Sequence, residues 1–423
     1  MIEMPHSLVS IRGLLVSAIL VAIYSSAFAM DSNVTQLAAT QIPTPSTFNL
    51  SSDCPLGFEL MPDNSCELRT LYQFYDSTQN AGVGGTHTSL PAHRDGFSPQ
   101  QIDLGRYLFF DPLLSGDGGI SCASCHQPDK GFADGRDVSI GIGGIKSKRS
   151  APSLWNSAFL TRFFWDARAS SLEQQVQGPL YSPFEMGNTR EQLLSDLNNN
   201  LTYQTLFKQA FGEPKSANAE TISLGNIYTA LSAFQTSLIS LNSRYDQYAH
   251  GNHGVLTETE IAGMNVFRSF VARCAECHTP PLFTNNQIAV IGTPEPPGHP
   301  LDVGAENTFG SAKLKGGFKV PTLRNIEHTA PYMHSGVFPT MREATEFYNK
   351  GRGHAVPKDV EMLLHWHISE PDLREHEIDL IVGFLKTLSD QRFMPKVPTS
   401  LPSGLTPTTA TIAVLLPNNK NLN

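Results

Sequence analysis

The chain has 423 residues, enough for two or three domains, and its 40% hydrophobic content can fill real cores. Its formal net charge of −9, with no cluster of Lys and Arg, argues against nucleic acid as a partner, because phosphate binding needs concentrated basic charge.

In chain order, the first segment is an export signal. Arg12 precedes an apolar run from Leu14 to Ile23, and Ala27-Phe28-Ala29 gives a small-x-small cleavage pattern, so residues 1–29 read as a signal peptide. The run is shorter than the roughly 20 apolar residues a bilayer span needs, and an uncleaved anchor is the alternative. No later segment is apolar enough to span. The mature chain is expected to start near Met30 and to work outside the cytoplasm.

Residues 30–97 form a leader that opens with a Thr, Ser, Pro and Gln-rich stretch, the composition of a flexible segment. Two of the six cysteines, Cys54 and Cys66, lie in it. In an oxidising compartment they are expected to form a disulfide worth about 3 kcal/mol in the chain-entropy account. A metal or redox pair is the rival, but no His or third Cys lies nearby.

The body is expected to hold two related halves, residues 98–250 and 251–392, followed by a flexible tail, 393–423. Ser98-Pro-Gln-Gln and Thr257-Glu-Thr-Glu each carry the capping-box pattern at the head of an amphipathic run. Each run leads to a CxxCH motif: Cys122, Cys125 and His126, then Cys274, Cys277 and His278. Further on, Pro152-Ser-Leu-Trp-Asn matches Pro321-Thr-Leu-Arg-Asn, Trp165 matches His334, and Ser171-Leu172 matches Thr340-Met341. All three pairs are 169 positions apart. Between the halves, Leu224, Ile227, Leu231, Phe234 and Leu238 fall on one helical face and read as core, and residues 372–388 repeat that pattern. Continuous β-alternation is hard to find. The expected fold is mainly α: two tandem cytochrome c-like domains with few or no strands.

CxxCH in an exported chain is a specific signal. Two thiols spaced by two residues can add to the two vinyl groups of one haem, and the adjacent His offers an axial nitrogen. A zinc or redox CxxC is the rival, and two copies, each followed by His and preceded by a capped helix, favour two covalent haem c groups.

The segments LGRYLFFDPLLSGDGGISCASCH, FWDARASSLEQQ and VPTLRNIEHTAPYMHSG, with the paired haem motifs, resemble the bacterial dihaem cytochrome c peroxidases and their MauG-type relatives over residues 97–390. The resemblance implies a periplasmic enzyme that reduces H2O2 at haem one with electrons passed through haem two. It implies a small electron-donor protein, such as a cytochrome c or cupredoxin. His126 and His278 become the proximal ligands, Glu185 the acid–base, Gln175 a second polar distal group and Trp165 the relay between haems. The family register makes Tyr348 the second ligand of haem two, with Met333 and Met341 as rivals. The repeat offset maps Tyr348 onto Pro179, which has no ligating side chain, so the matching face of haem one is expected to be open.

Two departures from the family pattern stand out. Many dihaem peroxidases carry a His sixteen residues after the first haem His, where it caps the oxidised haem. Here that position is Ile142, which cannot ligate iron. The backbone carbonyls of Thr329 and Pro331 match the family's calcium positions, but the Asn that supplies a side-chain ligand is Ser150, whose hydroxyl is a weaker donor. Tyr348 and Ile142 both lean toward the close alternative, a MauG-like oxidase that modifies residues of a partner protein. Rivals of other classes are a non-enzymatic dihaem electron carrier and an oxygenase acting on a polymer or small molecule. Trp155 and Trp366 read as packing. Gly141-Ile-Gly-Gly has no phosphate-loop context. His365 and His367, flanking Trp366, read as surface or core residues, with metal binding as the sharper alternative.

Overall fold

The computed structural model describes residues 48–75, 90–213, 222–351 and 353–408. The expected signal peptide, the leader up to residue 47 and the tail beyond residue 408 lie outside the described residues. The fold is mainly helical. Its described strands are four three-residue pieces in two antiparallel pairs, β1 (Phe58–Leu60) with β2 (Cys66–Leu68), and β3 (Ile288–Val290) with β4 (Gly317–Lys319). A disulfide joins Cys54 to Cys66, and the short helix α1 (Leu71–Tyr75) follows.

Two similar arrangements are built around the CxxCH motifs. In the first half, α2 (Pro99–Phe110) starts on a Ser98/Gln101 capping box and leads to α3 (Cys122–Cys125). Then come α4 (Leu172–Tyr181), α5 (Arg190–Asn198), α6 (Leu201–Phe211) and α7 (Leu224–Thr236). The Ile227, Leu231, Phe234 and Leu238 side chains of the α7 stripe are buried, each worth about 1.5–3 kcal/mol on full burial. Gly105 lets α2 and α7 meet backbone to backbone: a Cβ there would sit 1.8 Å from the Ala230 carbonyl oxygen.

The second half repeats the plan. After α8 (Arg244–Ala249), α9 (Glu258–Phe267) starts on a Thr257/Glu260 capping box and leads to α10 (Cys274–Cys277). The half then adds α11 (Ala305–Phe309), α12 (Met341–Lys350) and α13 (Glu375–Lys386). Gly263 in α9 does what Gly105 does in α2, since a Cβ there would lie 2.0 Å from the Leu380 carbonyl oxygen of α13. The 169-residue offset survives in detail. Asn156 and Asn325 are both left-handed N-caps of 3-10 turns, and the Phe163–Ala169 bridge reappears as Tyr332–Phe338.

Two boundaries differ from the sequence reading. Helix α8, placed in the first half, belongs to the second. Its Tyr245 and Ala249 pack with Phe283 and Phe384, and its Asp246 pairs with the fully buried Arg324 (Nη2 to Oδ1 2.6 Å). A buried guanidinium must be paired, so α8 is tied to the segment that carries Arg324. The expected flexible tail is docked over residues 393–408. Leu401 enters the first core, Ser403 donates to Asp111, and the Thr408 hydroxyl is 2.6 Å from that of Ser121, beside Cys122. The leader packs on the body through Leu71, which is buried with Phe159, Leu241 and Leu282 of the second half.

Candidate functional site

Each CxxCH motif forms one short turn of helix that sets two thiols and an imidazole together. In the first, the His126 Nδ1 is 2.8 Å from the Phe132 carbonyl oxygen. In the second, the His278 Nδ1 is 3.1 Å from the Phe283 carbonyl oxygen. Both phenylalanines are left-handed, with φ of 60° and 54°. That conformation costs a bulky residue on the order of 1–3 kcal/mol, and it recurs where it aims a carbonyl at a histidine. The contact fixes the ring and leaves Nε2 as the outward donor, the arrangement that metal-ligating histidines favour. Burial holds both imidazoles below their ordinary pKa, His278 at about 4, so both are neutral. Burial also pushes the Cys122, Cys125 and Cys274 thiols up to about 12.

A cavity of about 250 Å³ opens beside the second motif. His278, Cys274 and Cys277 line it, and so do Tyr348, Met333 and Met341, so the structure brings all three candidate ligands to this space. Burial, with added repulsion from Cys277 and Cys274, raises the Tyr348 hydroxyl well above its ordinary value. Tyr348 on α12 and Pro179 inside α4 occupy the same register, counted from the N-caps Thr340 and Ser171. The equivalence expected from the repeat is therefore a structural one.

Trp165 lies where the halves meet and lines the same cavity. Its indole N–H donates to the Ser150 carbonyl (3.0 Å), and its own carbonyl accepts from the Lys319 N–H (2.7 Å). Ser150 also bonds across the halves, its N–H to the His334 carbonyl (2.8 Å) and its hydroxyl to the Met333 carbonyl (2.9 Å). Thr329 and Pro331 line the cavity too. Arg149 grips Asp302 through two nitrogens (2.6 and 2.9 Å) and Asp166, next to Trp165, through a third (2.8 Å). His334 is buried, stacked on Phe318, with its Nε2 2.9 Å from Glu295.

On the first motif's side, Glu185 follows α4 in a turn. Burial raises its carboxyl above the ordinary range and Arg168 pulls it partly back. The loop that Glu185 packs on reaches the first motif, where the Cys125 Sγ lies 4.0 Å from the Ile140 carbonyl oxygen. The Ile142 N–H donates to the Glu185 carbonyl (2.7 Å), and the Ile142 side chain lies against Gly187. The Oε1 atom of Gln175 on α4 is buried and has no hydrogen-bond partner among the described residues.

These features fit two c-type haems. Each motif offers two thiols and an oriented neutral imidazole, and Gln175 holds a polar atom in reserve. Lys319, buried and without an acidic partner among the described residues, is pulled down to about 8 by desolvation. A buried ammonium needs a counter-charge, and the carboxylates of a haem would supply one. Sequence reasoning missed Lys319, Arg149 and Arg168, because nothing in a sequence separates a buried cation from a surface one. It also misjudged Trp366, read as packing but 74% exposed, whereas Trp155 is buried edge-on to Phe132 as expected.

Residues 99–254 match the family described as di-haem cytochrome c peroxidase. The methylamine utilization protein MauG of Methylorubrum extorquens is 33% identical over 291 residues, 69% of this chain and 78% of that protein. The chain belongs to the di-haem cytochrome c peroxidase family. Cytochrome c551 peroxidase of Nitrosomonas europaea is 32% identical over 73% of this chain and 86% of its own length. The crystal structure of a MauG-like protein associated with microbial copper homeostasis superposes with a TM-score of 0.65 at 31% identity, covering 73% of this chain and 97% of that one. As a member of this peroxidase family, the chain is an oxidoreductase with two haem c groups and peroxide as its oxidant. Among the described residues no helix is long and apolar enough to cross a membrane.

Proposed function

We infer that this is a periplasmic dihaem peroxidase whose peroxide site is open at rest. In this reading Cys122 and Cys125 would attach haem one, and His126 would ligate it. Cys274 and Cys277 would attach haem two, and His278 and Tyr348 would ligate it. The bound haems supply the one-electron iron chemistry that peroxide reduction needs. Glu185 takes the proton from incoming H2O2 and returns it to the leaving oxygen. Gln175 orients the peroxide, and Trp165, packed where the halves meet, would relay electrons between the two haems when a small donor protein supplies them. The carbonyls of Thr329 and Pro331, with Ser150, are the positions for a calcium ion between the halves. Export by residues 1–29 completes the reading.

The observation that carries it is the asymmetry of two equivalent helices. Tyr348 enters the cavity of the second motif, and the same register in the first half is Pro179. A carrier that only shuttles electrons would fill both faces. The MauG-like alternative, oxidation of residues on a partner protein, uses the same site and is favoured by Tyr348 and Ile142 together. The test is Tyr348→Met. An anionic oxygen favours the oxidised iron more than a thioether does, so the variant should raise the midpoint potential of haem two while haem one keeps its own. An unchanged potential at haem two would assign its second ligand to Met333 or Met341.

A further inference from the structure

Residues 365–369 pass beside α10 and carry two histidines that the peroxidase reading leaves unused. The segment is firmly held. The His365 N–H donates to the Val290 carbonyl in β3 (2.8 Å), and a Cβ on Gly351 would meet the Ser369 carbonyl oxygen at 1.8 Å. On this support a ring nitrogen of His365, a ring nitrogen of His367 and the Cys277 Sγ all lie within 4.8 Å of one another. The Nε2 of His367 is 2.6 Å from the Glu276 carboxylate, an ion-pair distance, and neither buried ring nitrogen of His367 makes a hydrogen bond among the described residues. The His365 Nδ1 accepts only a long contact from the His367 N–H at 3.4 Å, so its lone pair is weakly engaged and open to a stronger partner.

We propose that His365, His367 and the Cys277 sulfur form a copper site at the edge of haem two, with Glu276 orienting His367. The proposal rests on the attachment of haem two to Cys277. Attachment converts that thiol to a thioether, which keeps a soft lone pair and carries no charge. Two neutral imidazoles and a thioether suit Cu(I), whereas calcium and magnesium require oxygen donors. A carboxylate behind a ligating histidine fixes its tautomer and raises its basicity, which is the placement of Glu276. The histidine rings hold 5.0 Å between centroids and stand at 71° to each other, so they do not stack.

The experiment uses the full holoprotein, reduced and free of oxygen, titrated with Cu(I) supplied as a coloured chelator complex. Haem content is measured on the same sample by intact mass. The wild type should take one Cu(I) per chain from the chelator, with a shift in the bands of haem two, whose thioether is a ligand. His365→Ala should weaken that affinity by at least about tenfold, and Glu276→Gln by about 10–100-fold, with both haems retained. If the holoprotein takes no Cu(I), or if His365→Ala binds it as tightly as the wild type, the site is refuted. Should either variant lose haem, His365→Gln, which keeps the volume, replaces it under the same criterion. A mass lacking haem on Cys274 and Cys277 would overturn the haem assignment itself, an outcome distinct from two-haem protein that binds no copper.

Discussion

Glu185→Gln isolates the proton chemistry. The substitution keeps the size and hydrogen-bonding reach of the side chain and removes its basicity. Glu185 makes no side-chain hydrogen bond or ion pair among the described residues, so stability and haem content should change little. General acid–base catalysis is worth about 10²–10⁴ in rate, or about 2.7–5.4 kcal/mol in barrier, and the second-order rate with H2O2 should fall by that factor. A second substitution tests the electrostatics. Burial raises the Glu185 carboxyl and Arg168 lowers it. The carboxylate is the reactive form, so the rate should climb as pH rises through that elevated pKa. Arg168→Ala removes the lowering charge and should move this limb to higher pH. The assay is stopped-flow mixing with excess H2O2 across pH, followed at the haem bands. A Glu185→Gln rate within a few-fold of the parent, or a limb that stays put in Arg168→Ala, would mean that another group carries the proton.

Two further predictions concern assembly. Replacing Cys122 and Cys125 by Ala should leave one covalent haem by intact mass, as should replacing Cys274 and Cys277, and two haems retained in either double variant would refute the attachment sites. Asp246→Ala strands the Arg324 guanidinium, which is fully buried, and should destabilise the second half by about 3–5 kcal/mol in chemical denaturation. A loss under 1 kcal/mol would return α8 to the first half.

The local grammar of this fold is legible in the sequence because it is local. Ser98 and Thr257 start helices since a side-chain oxygen caps amides three residues on, and both boxes form. The α7 stripe and the CxxCH turns are likewise short-range patterns, and the 169-residue offset carried the equivalence of Tyr348 and Pro179 into three dimensions. What escaped is set by contacts between distant segments. The allegiance of α8 depends on Arg324, 78 residues away from Asp246, and the docking of the tail depends on a core that Leu401 completes. Exposure of Trp366, burial of Lys319 and the meeting of His365 and His367 with Cys277 are outcomes of packing that no residue type announces. The roles of Glu185 and Gln175 came from the family resemblance. The structure adds the burial of Glu185 and the unpartnered amide oxygen of Gln175, which no sequence pattern announces.

In the proposed function haem one is open in the oxidised protein, because Ile142 stands where a capping histidine would and its side chain lies against Gly187. The most direct measurement is stopped-flow mixing of the fully ferric protein with one equivalent of H2O2, without reductant, recorded at the haem bands. The account predicts an immediate spectral change that consumes the peroxide. A spectrum that stays still until an electron is supplied would show that another ligand caps haem one and that the enzyme is activated by reduction.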